Sequence, residues 1–234
     1  MNHNLENKLS KNLPRDISAL GFVQNYPIKK VYQVGNSYII LGKSDHLWAY
    51  VSSEDKDELI HLINKYKYET KYFASIESWM KPIIQKNKDV EWELQTKRFI
   101  FPEHLEIGVL DNRVKRLKSS DANYIYNNSH YKEVTSIKYI QERINQGVSA
   151  GITKNNKLIA WGLTHDDNAL GFLHVLPEYR RQGYAEEITK CLIQKQRSEN
   201  KEVFLNIEID NFKSESLATK LGFVFDRKIS WFKI

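Results

Sequence analysis

The sequence predicts an α/β protein in which a mixed, largely antiparallel twisted sheet is flanked by helices and preceded by a smaller α+β domain. Short runs of alternating apolar residues indicate strands, apolar residues at helical spacing indicate helices, and turn residues separate them. Hydrophobic residues make up 41% of the 234 residues, which is enough for two cores, since domains commonly hold ~100–150 residues. We therefore expect domains at residues 1–105 and 113–234, joined by a linker at 106–112.

The first domain is predicted to open with a short amphipathic helix, because Leu5, Leu9 and Leu13 recur at helical spacing. Two strand-like runs follow. Gly35-Asn36 lies between them and suits a hairpin turn, because both residues tolerate positive φ. Ser53 or Asp55 is expected to cap a later helix. Residues 1–105 contain no recognisable chemical motif, so this domain is expected to lack a cofactor site of its own.

The second domain is predicted to follow the order β-α-α-β-β-β-α-β-α-β. Val114–Leu117 is its expected first strand, and Gly147 is expected to end its second helix. Three successive strands follow, with turns at Asn155-Asn156 and at residues 166–168. Cys191 falls on the apolar face of the next helix, so we interpret it as a core residue rather than a nucleophile.

The positive charge of the chain is unevenly distributed. The formal net charge is +6, and residues 113–234 carry 20 Lys/Arg against 14 Asp/Glu, which accounts for the whole excess. Such an excess favours an anionic ligand, a phosphorylated cofactor or nucleic acid, and it is also compatible with a basic solvated surface. Nucleic acid is not an expected partner, because the sequence shows no basic-aromatic interleaving or helix-turn-helix pattern.

One segment of the second domain carries a recognisable binding pattern. It runs Val175-Leu-Pro-Glu-Tyr-Arg-Arg-Gln-Gly-Tyr-Ala185 between a predicted strand and a predicted helix. Gly183 lets the backbone approach a ligand closely, and the helix directs free N–H groups and the positive end of its dipole toward that ligand. Arg180 and Arg181 add charge-assisted contacts. The segment therefore predicts a phosphate-binding turn, with a basic turn that binds nothing as the alternative.

This segment resembles the acyl-CoA-binding signature of the GNAT superfamily, Val-x-Pro-x-aromatic-Arg-x-x-Gly-x-Ala/Gly. A second match lies downstream, where Asn211-x-x-Ser214 and Lys220-Leu-Gly-Phe223 resemble the family's Asn-x-x-Ala and Lys-Leu-Gly-Phe. The resemblance covers residues 113–234 and implies the GNAT fold for them. Residues 1–105 resemble a reduced GNAT domain. The Gly-Tyr-Ala run and the extra domain look most like the glycine N-acyltransferase-like branch.

The resemblance also implies the reaction and the cofactor site. Acetyl-CoA or another acyl-CoA would be the co-substrate, and its acyl group would pass directly to a primary amine of a small molecule or amino acid. The pantetheine arm would pair with backbone where the fourth strand separates from the fifth, and the pyrophosphate would meet the loop amides. The cofactor-binding residues implied in this way are Leu173, His174, Val175, Arg180, Arg181, Gln182, Gly183, Tyr184, Ala185 and Asn211.

The general acid of many GNAT enzymes is missing from this sequence. The tyrosine that protonates the leaving thiolate would fall at Ala218. Ser214 lies one helical turn earlier on the same face and is a candidate replacement. The alternative is that Ser214 is a first-turn serine that helps to cap its helix.

The family's general base is missing as well. The carboxylate often found on the fourth strand would fall at Ala169 or Gly171. The remaining candidates are His174 on that strand and Glu208 on the next. His174 suits the role because imidazole titrates near neutrality. The alternatives are a histidine packed against a helix and a glutamate that is simply polar surface.

The leading prediction is therefore an enzyme, an acyl-CoA-dependent N-acyltransferase. The alternative left open by the two missing groups is a catalytically silent acyl-CoA-binding protein. Histidine and cysteine spacings suggest no metal site. No apolar run reaches the ~18 residues of a membrane span, and the start shows no signal region. The single cysteine fits a reducing compartment, so we expect a cytoplasmic protein. We also expect a monomer or homodimer without membrane association.

Overall fold

The computed structural model describes residues 2–109 and 112–234. Its contacts divide the chain into two compact units. One contains the chain up to Ile100 together with Asn206–Glu215 and Phe225–Ile234, and the other contains Phe101–Leu205 and Ser216–Val224. Residues 110 and 111 of the predicted linker 106–112 lie outside the described residues. The units are discontinuous in sequence, and the division into domains at 1–105 and 113–234 stays a prediction.

The first unit contains strands in the order β1-β2-β3-β4-β10-β5, in which β10 is the last strand of the chain, Val224–Lys233. Neighbours pair antiparallel at β1–β2, β2–β3 and β4–β10, and parallel at β3–β4. Its helices α1 to α4 span Asn2–Ser10, Ile17–Asn25, Lys56–Lys65 and Lys81–Gln85. Its strands β1 to β5 span Ile28–Val34, Ser37–Lys43, Leu47–Ser52, Tyr72–Glu77 and Trp92–Ile100.

Alternation along β2 builds two cores in this unit. Ile39 and Leu41 pack with residues of α3 and α4, whereas Tyr38 and Ile40 pack with residues of α1 and α2. Successive side chains of a strand point to opposite faces, so the two helix pairs cover opposite faces of the strands. The predicted hairpin turn is confirmed, since Gly35 has φ +54° between the paired strands β1 and β2.

The second unit is built around α7, which packs on β6, β7 and β8. The strand order is β9-β8-β7-β6, with β8–β9 parallel and the other pairs antiparallel. Helices α5, α6 and α7 span Ala122–Asn127, Ile137–Gln146 and Tyr184–Ser198, and strands β6, β7 and β8 span Ser149–Lys154, Lys157–Thr164 and Leu170–Val175. The last elements β9, α8 and β10 span Phe204–Glu208, Phe212–Leu221 and Val224–Lys233, and each crosses a boundary of the units.

The predicted strand Val114–Leu117 is wrong. Of these four residues, all of which the structure describes, only Lys115 pairs, in a single bridge with Gly151. The guanidinium of the next residue, Arg116, donates to the carbonyl oxygens of Ile144 and Asn145 at the end of α6, so this segment is held by the helix as well as by the single bridge. The α/β class itself is confirmed, because both units combine largely antiparallel strands with packed helices.

Close packing of α7 explains two other features. A Cβ added at Gly162 of β7 would lie 2.9 Å from Ile188 and 3.0 Å from Leu192 of α7, so the missing side chain lets the helix approach the strand. Cys191 is buried on the same helix, as expected for a core residue, and burial raises the pKa of its thiol. Among the described residues, no helix combines the length and apolar character needed to cross a membrane.

Candidate functional site

Within the described chain, no side chain caps the N-terminus of α7. Gly183 is the cap residue, has φ +82°, and offers no side-chain hydrogen bond. The first N–H groups of a helix have no partner within the helix, and here these belong to residues 184–186. The preceding residues Arg180, Arg181 and Gln182 are all exposed. This turn therefore presents free donors and the positive end of a helix dipole to solvent.

Gly183 leaves the surface of this turn bare. A Cβ built on it would meet no heavy atom of the described chain within 4 Å, so packing does not require a glycine here. Two other reasons remain, its left-handed backbone and the open space above it. The space is open to an anionic group such as a pyrophosphate, and the phosphate-binding turn stays a prediction.

Basic side chains surround the turn, and the acidic ones are paired. The guanidinium of Arg180 donates from Nε to the carbonyl oxygen of Val175 at 3.0 Å, which ties the turn to the end of β8. Glu178 pairs with Lys157 at 3.0 Å. Glu186 pairs with Lys190 and with Lys220, and hydrogen bonds from these two ammonium groups hold the pKa of Glu186 below its ordinary value. The acidic residues thus do not oppose an anion at Gly183.

A β-bulge lies in the middle of β8. Trp161 pairs with His174 and Leu163 pairs with Gly171, so Phe172 and Leu173 together oppose the single residue between Trp161 and Leu163. Phe172 has φ +51°, a conformation that is a genuine outlier for a bulky residue. Such strain is found mainly at functional sites.

The bulge changes which side chains share a face. Trp161 and Leu163 lie on one face of β7, and directly opposite residues of paired strands share a face. Gly171 and His174 therefore lie on the same face of β8, although simple alternation would separate them. The same face carries the ring of Trp161, which packs on Tyr124 of α5 at a centroid distance of 5.9 Å.

The other edge of β8 is mostly without a strand neighbour. Its pairing with β9 is confined to Leu170 and Leu205, so within the described chain the register leaves residues 171–175 unpaired on that side. An extended ligand can add its own hydrogen bonds to such an edge. The predicted pairing of a pantetheine arm with Leu173, His174 and Val175 stays a prediction.

His174 is half-buried against two rings. It stacks on Trp161 at a centroid distance of 4.5 Å and lies 6.0 Å from His130. Burial lowers the pKa of His174, and the positive charges of Arg180 and His130 lower it further. The imidazole is therefore neutral at pH 7, the form that accepts a proton.

The remaining predicted residues lie in the first unit. Asn211 is the N-cap of α8, because its Oδ1 accepts the backbone N–H of Ser214 at 3.2 Å. Ser214 therefore stands in the first turn, as its capping alternative expected. Glu208 ends β9, and its carbonyl oxygen accepts the N–H of Asn211 at 3.0 Å. Ala218, which belongs to the second unit, is 2% exposed. The catalytic roles of Glu208 and Ser214 and the cofactor contact of Asn211 stay predictions.

The sequence analysis missed one side chain beside β8. A Cβ added at Gly171 would overlap with Nε2 of His165, so the imidazole occupies the space that a side chain of residue 171 would fill. The ring of His165 also lies 4.8 Å from that of Phe172. A glycine inside a strand indicates a bulge or a close approach, and Gly171 was the signal that could have found this contact.

Comparison with known families and structures agrees with this arrangement. Residues 146–232 match the family model described as FR47-like protein. The solved structure of a Drosophila protein shares 16% identity and a TM-score of 0.78, covering 100% of this chain and 96% of that chain. No curated protein matches the chain by sequence.

Two further solved structures are named as a GCN5-related N-acetyltransferase or as a protein like one. A GCN5-related N-acetyltransferase from Kribbella flavida shares 11% identity and a TM-score of 0.61, covering 95% of this chain and 96% of that chain. A GCN5-related N-acetyltransferase-like protein from Streptococcus suis 89/1591 shares 11% identity and a TM-score of 0.57, covering 97% and 98% respectively. At these identities the likeness shows a shared fold.

Proposed function

We propose that the chain is a GNAT-superfamily N-acyltransferase that moves an acyl group from acetyl-CoA or another acyl-CoA to a primary amine, because residues 146–232 match the FR47-like family model and the chain shares the fold of structures named as GCN5-related N-acetyltransferases. The acceptor we propose is a small molecule or an amino acid. One observation carries the proposal, the uncapped turn at Gly183 beside a strand that is paired mainly on one side. The glycine N-acyltransferase-like branch stays a prediction.

The turn and the strand would hold different parts of the acyl-CoA. The free amides of residues 181–185 and the charges of Arg180 and Arg181 suit the pyrophosphate, because donors at a helix N-terminus bind anions. The unpaired edge at Leu173, His174 and Val175 suits the amide groups of pantetheine. Bound in this way, the thioester would lie along β8 near the bulge.

The reaction needs one proton acceptor and one proton donor. The ammonium group of the acceptor loses a proton, its nitrogen lone pair attacks the thioester carbonyl carbon, and the C–N bond forms. The C–S bond then breaks, and the second nitrogen proton ends on the sulfur of free CoA. The backbone N–H groups of the bulge are proposed to stabilise the oxyanion formed in between.

The proposed catalytic side chains are His174, Glu208 and Ser214. His174 is neutral at pH 7 because burial lowers its pKa, so it is able to accept the proton of an ammonium group. Glu208 is proposed to hold a water that does the same work, and Ser214 is proposed to protonate the thiolate. Asn211 is proposed to contact the cofactor from α8.

A catalytically silent acyl-CoA-binding protein is the second candidate. The position of the family's tyrosine is taken by Ala218, which is buried, and the positions of its strand carboxylate are taken by Ala169 and Gly171. Binding without turnover is the behaviour that distinguishes this candidate.

Two measurements in sequence test the proposal. Isothermal titration with acetyl-CoA and longer acyl-CoAs identifies the tightest binder, and release of free CoA is then followed with a panel of primary amines and amino acids. We expect one acyl-CoA per chain and release that depends on the amine. Binding of acyl-CoA without amine-dependent release of CoA would support the catalytically silent binding protein. No binding of acyl-CoA at all would contradict both candidates.

A further inference from the structure

The imidazole of His165 lies over the backbone of Gly171 at the bulge of β8. Gly171 does not belong to the residues with positive φ, so its backbone would accept a side chain. The obstacle is Nε2 of His165, which occupies the space of that side chain. The absence of a Cβ at residue 171 therefore makes room for the imidazole of His165. The functional group beside this part of β8 is supplied by residue 165 and not by residue 171.

Hydrogen bonds fix the turn that carries His165. Its backbone N–H donates to the carbonyl oxygen of Ala169 at 2.8 Å. The amide of Gln196 in α7 donates to the carbonyl oxygen of Asn168 at 2.8 Å, and Tyr139 of α6 accepts the N–H of Asp166 at 3.2 Å. The turn is thus held from two helices and from its own strand. A catalytic group needs this kind of support to keep its geometry.

We propose that His165 is a further catalytic residue, and that His165 rather than His174 takes the proton from the acceptor amine. This inference rests on the proposed acyltransferase function. Gly171 shares its face with His174, so the ring of His165 lies on the same face of β8 as the ring of His174. At Gly171 it stands beside the strained Phe172, at the first residue that β9 leaves unpaired.

Geometry favours His165 over His174 for this role. The ring of His174 stacks on the ring of Trp161, which covers one of its faces, and a protonated ring there would meet the charge of Arg180. The ring of His165 instead lies against Phe172 and over the backbone of Gly171. After the transfer, the proton leaves from its imidazole to water, and the second amine proton goes to the CoA sulfur as before.

The titratable and charged groups that face the turn define what else affects a pH profile. They are Tyr139 and Arg143 of α6, Asp166 and Asp167 of the turn, and His174 of β8. Replacing His165 alone leaves all of them in place. The change in the profile between wild type and His165→Gln is therefore assigned to the imidazole.

The experiment compares kcat/KM at saturating acyl-CoA in His165→Gln and His174→Gln. We expect a loss of roughly 100-fold or more in His165→Gln, with the acid limb of the pH profile removed, and a smaller loss in His174→Gln. Acetyl-CoA affinity, measured by calorimetry, should stay within about 2-fold of wild type in His165→Gln, since a catalytic group off the binding turn does not hold the cofactor.

A rescue pair excludes a merely structural effect. In His165→Ala the space over residue 171 is empty, so His165→Ala/Gly171→Glu places a carboxylate there and His165→Ala/Gly171→Ala places only a methyl group. We expect the glutamate variant to recover at least 10-fold over the alanine variant. Its acid limb should lie at lower pH than in wild type, because a carboxyl ordinarily titrates near ~4.3 and an imidazole near ~6.5.

The outcomes separate this inference from the proposed function. Turnover in wild type with near-normal activity in His165→Gln, or equal activity of the two rescue variants, would overturn the role of His165 and leave the acyltransferase in place. A wild-type chain that binds acetyl-CoA but acylates no amine would overturn both.

Discussion

The helices α3 and α7 begin in opposite ways. Asp55 caps α3, and its carboxylate accepts the backbone N–H groups of Asp57 and Glu58, both at 2.8 Å. α7 begins at Gly183, which has no side chain to offer. The first helix thus pairs its N-terminal donors with the side chain of its own cap, whereas the second leaves its donors without a side-chain cap.

The charged residues at the starts of α3 and α7 differ as well. The first turn of α3 contains Asp57 and Glu58, and Glu58 also accepts the N–H of Asn36 at 3.0 Å. Two arginines precede α7, and Glu186 of its first turn is paired with lysines. An uncapped helix N-terminus is the kind that stays available to a ligand. The predictions below therefore change residues at the start of α3 or of α7.

The largest effect is expected at Gly183. Gly183→Asp places a negative charge in the space proposed for the pyrophosphate, so acetyl-CoA affinity should fall about 10–100-fold, or roughly 1.4–2.8 kcal/mol. Gly183→Asn has the same shape and tolerates the same backbone, so it should lose less, and the difference isolates the charge. Calorimetric titration measures both.

Gly108→Asp is the matched control for Gly183→Asp. Gly108 also has open space where a Cβ would project, and it lies outside the turn, so its aspartate should leave the affinity unchanged. Equal affinities of wild type and Gly183→Asp would remove α7 from the binding site.

A smaller effect is expected at Arg181. Arg181→Ala removes one exposed positive charge near the turn, so acetyl-CoA affinity should fall about 3–10-fold at low salt and less at high salt, because salt screens exposed charges. Lys56→Ala removes a charge from the first residue of α3 and should not change the affinity. Titration at two ionic strengths checks both, and a loss in Arg181→Ala that does not depend on salt would contradict an electrostatic role.

Asp55 should affect stability instead of binding. Asp55→Ala removes a side-chain cap and should lower the free energy of unfolding by about 0.5–2 kcal/mol, measured by urea denaturation, while acetyl-CoA affinity is unchanged. Asp55→Asn keeps an acceptor oxygen and should restore most of the loss. If Asp55→Ala weakened acetyl-CoA binding as Gly183→Asp does, the two helix ends would not differ in function.

The smallest effect concerns the stability of the second unit at acid pH. The folded chain lowers the pKa of His174 through burial and nearby positive charge, so the unfolded chain takes up that proton at a higher pH. Stability from this group is present above its ordinary value near ~6.5 and is lost as the pH falls toward the lowered pKa. Between pH 7.5 and 5, the Tm of His174→Gln should fall less than that of wild type, and an equal fall would contradict this.

The elements that the sequence predicts are those with a local pattern. The hairpin at Gly35-Asn36 and the helix after Gly183 each have turn residues at fixed positions, and the structure contains both. The helix Ile17–Asn25 was not predicted, because its residues 17–23 are all buried and a helix that is buried all round lacks an amphipathic period.

The bulge of β8 could not be predicted because it depends on contacts between strands. Nothing local indicates positive φ for Phe172, and the register of β7 determines that Gly171 and His174 share a face. For the same reason the sequence did not single out His165, since its contact with Gly171 exists across a turn. Local residue types are enough to predict a phosphate-binding turn, whereas the proposal of His165 as the proton acceptor depends on contacts that only the fold shows.

Amide hydrogen exchange with and without acetyl-CoA tests the central comparison most directly. Residues 181–186 and 173–175 should exchange more slowly when acetyl-CoA is bound, because the ligand would accept their N–H groups or cover them. Residues 57–59 at the start of α3 should exchange at the same rate in both states, because Asp55 and the helix itself already hold their N–H groups. Protection at the start of α3 but none at residues 181–186 would contradict the account.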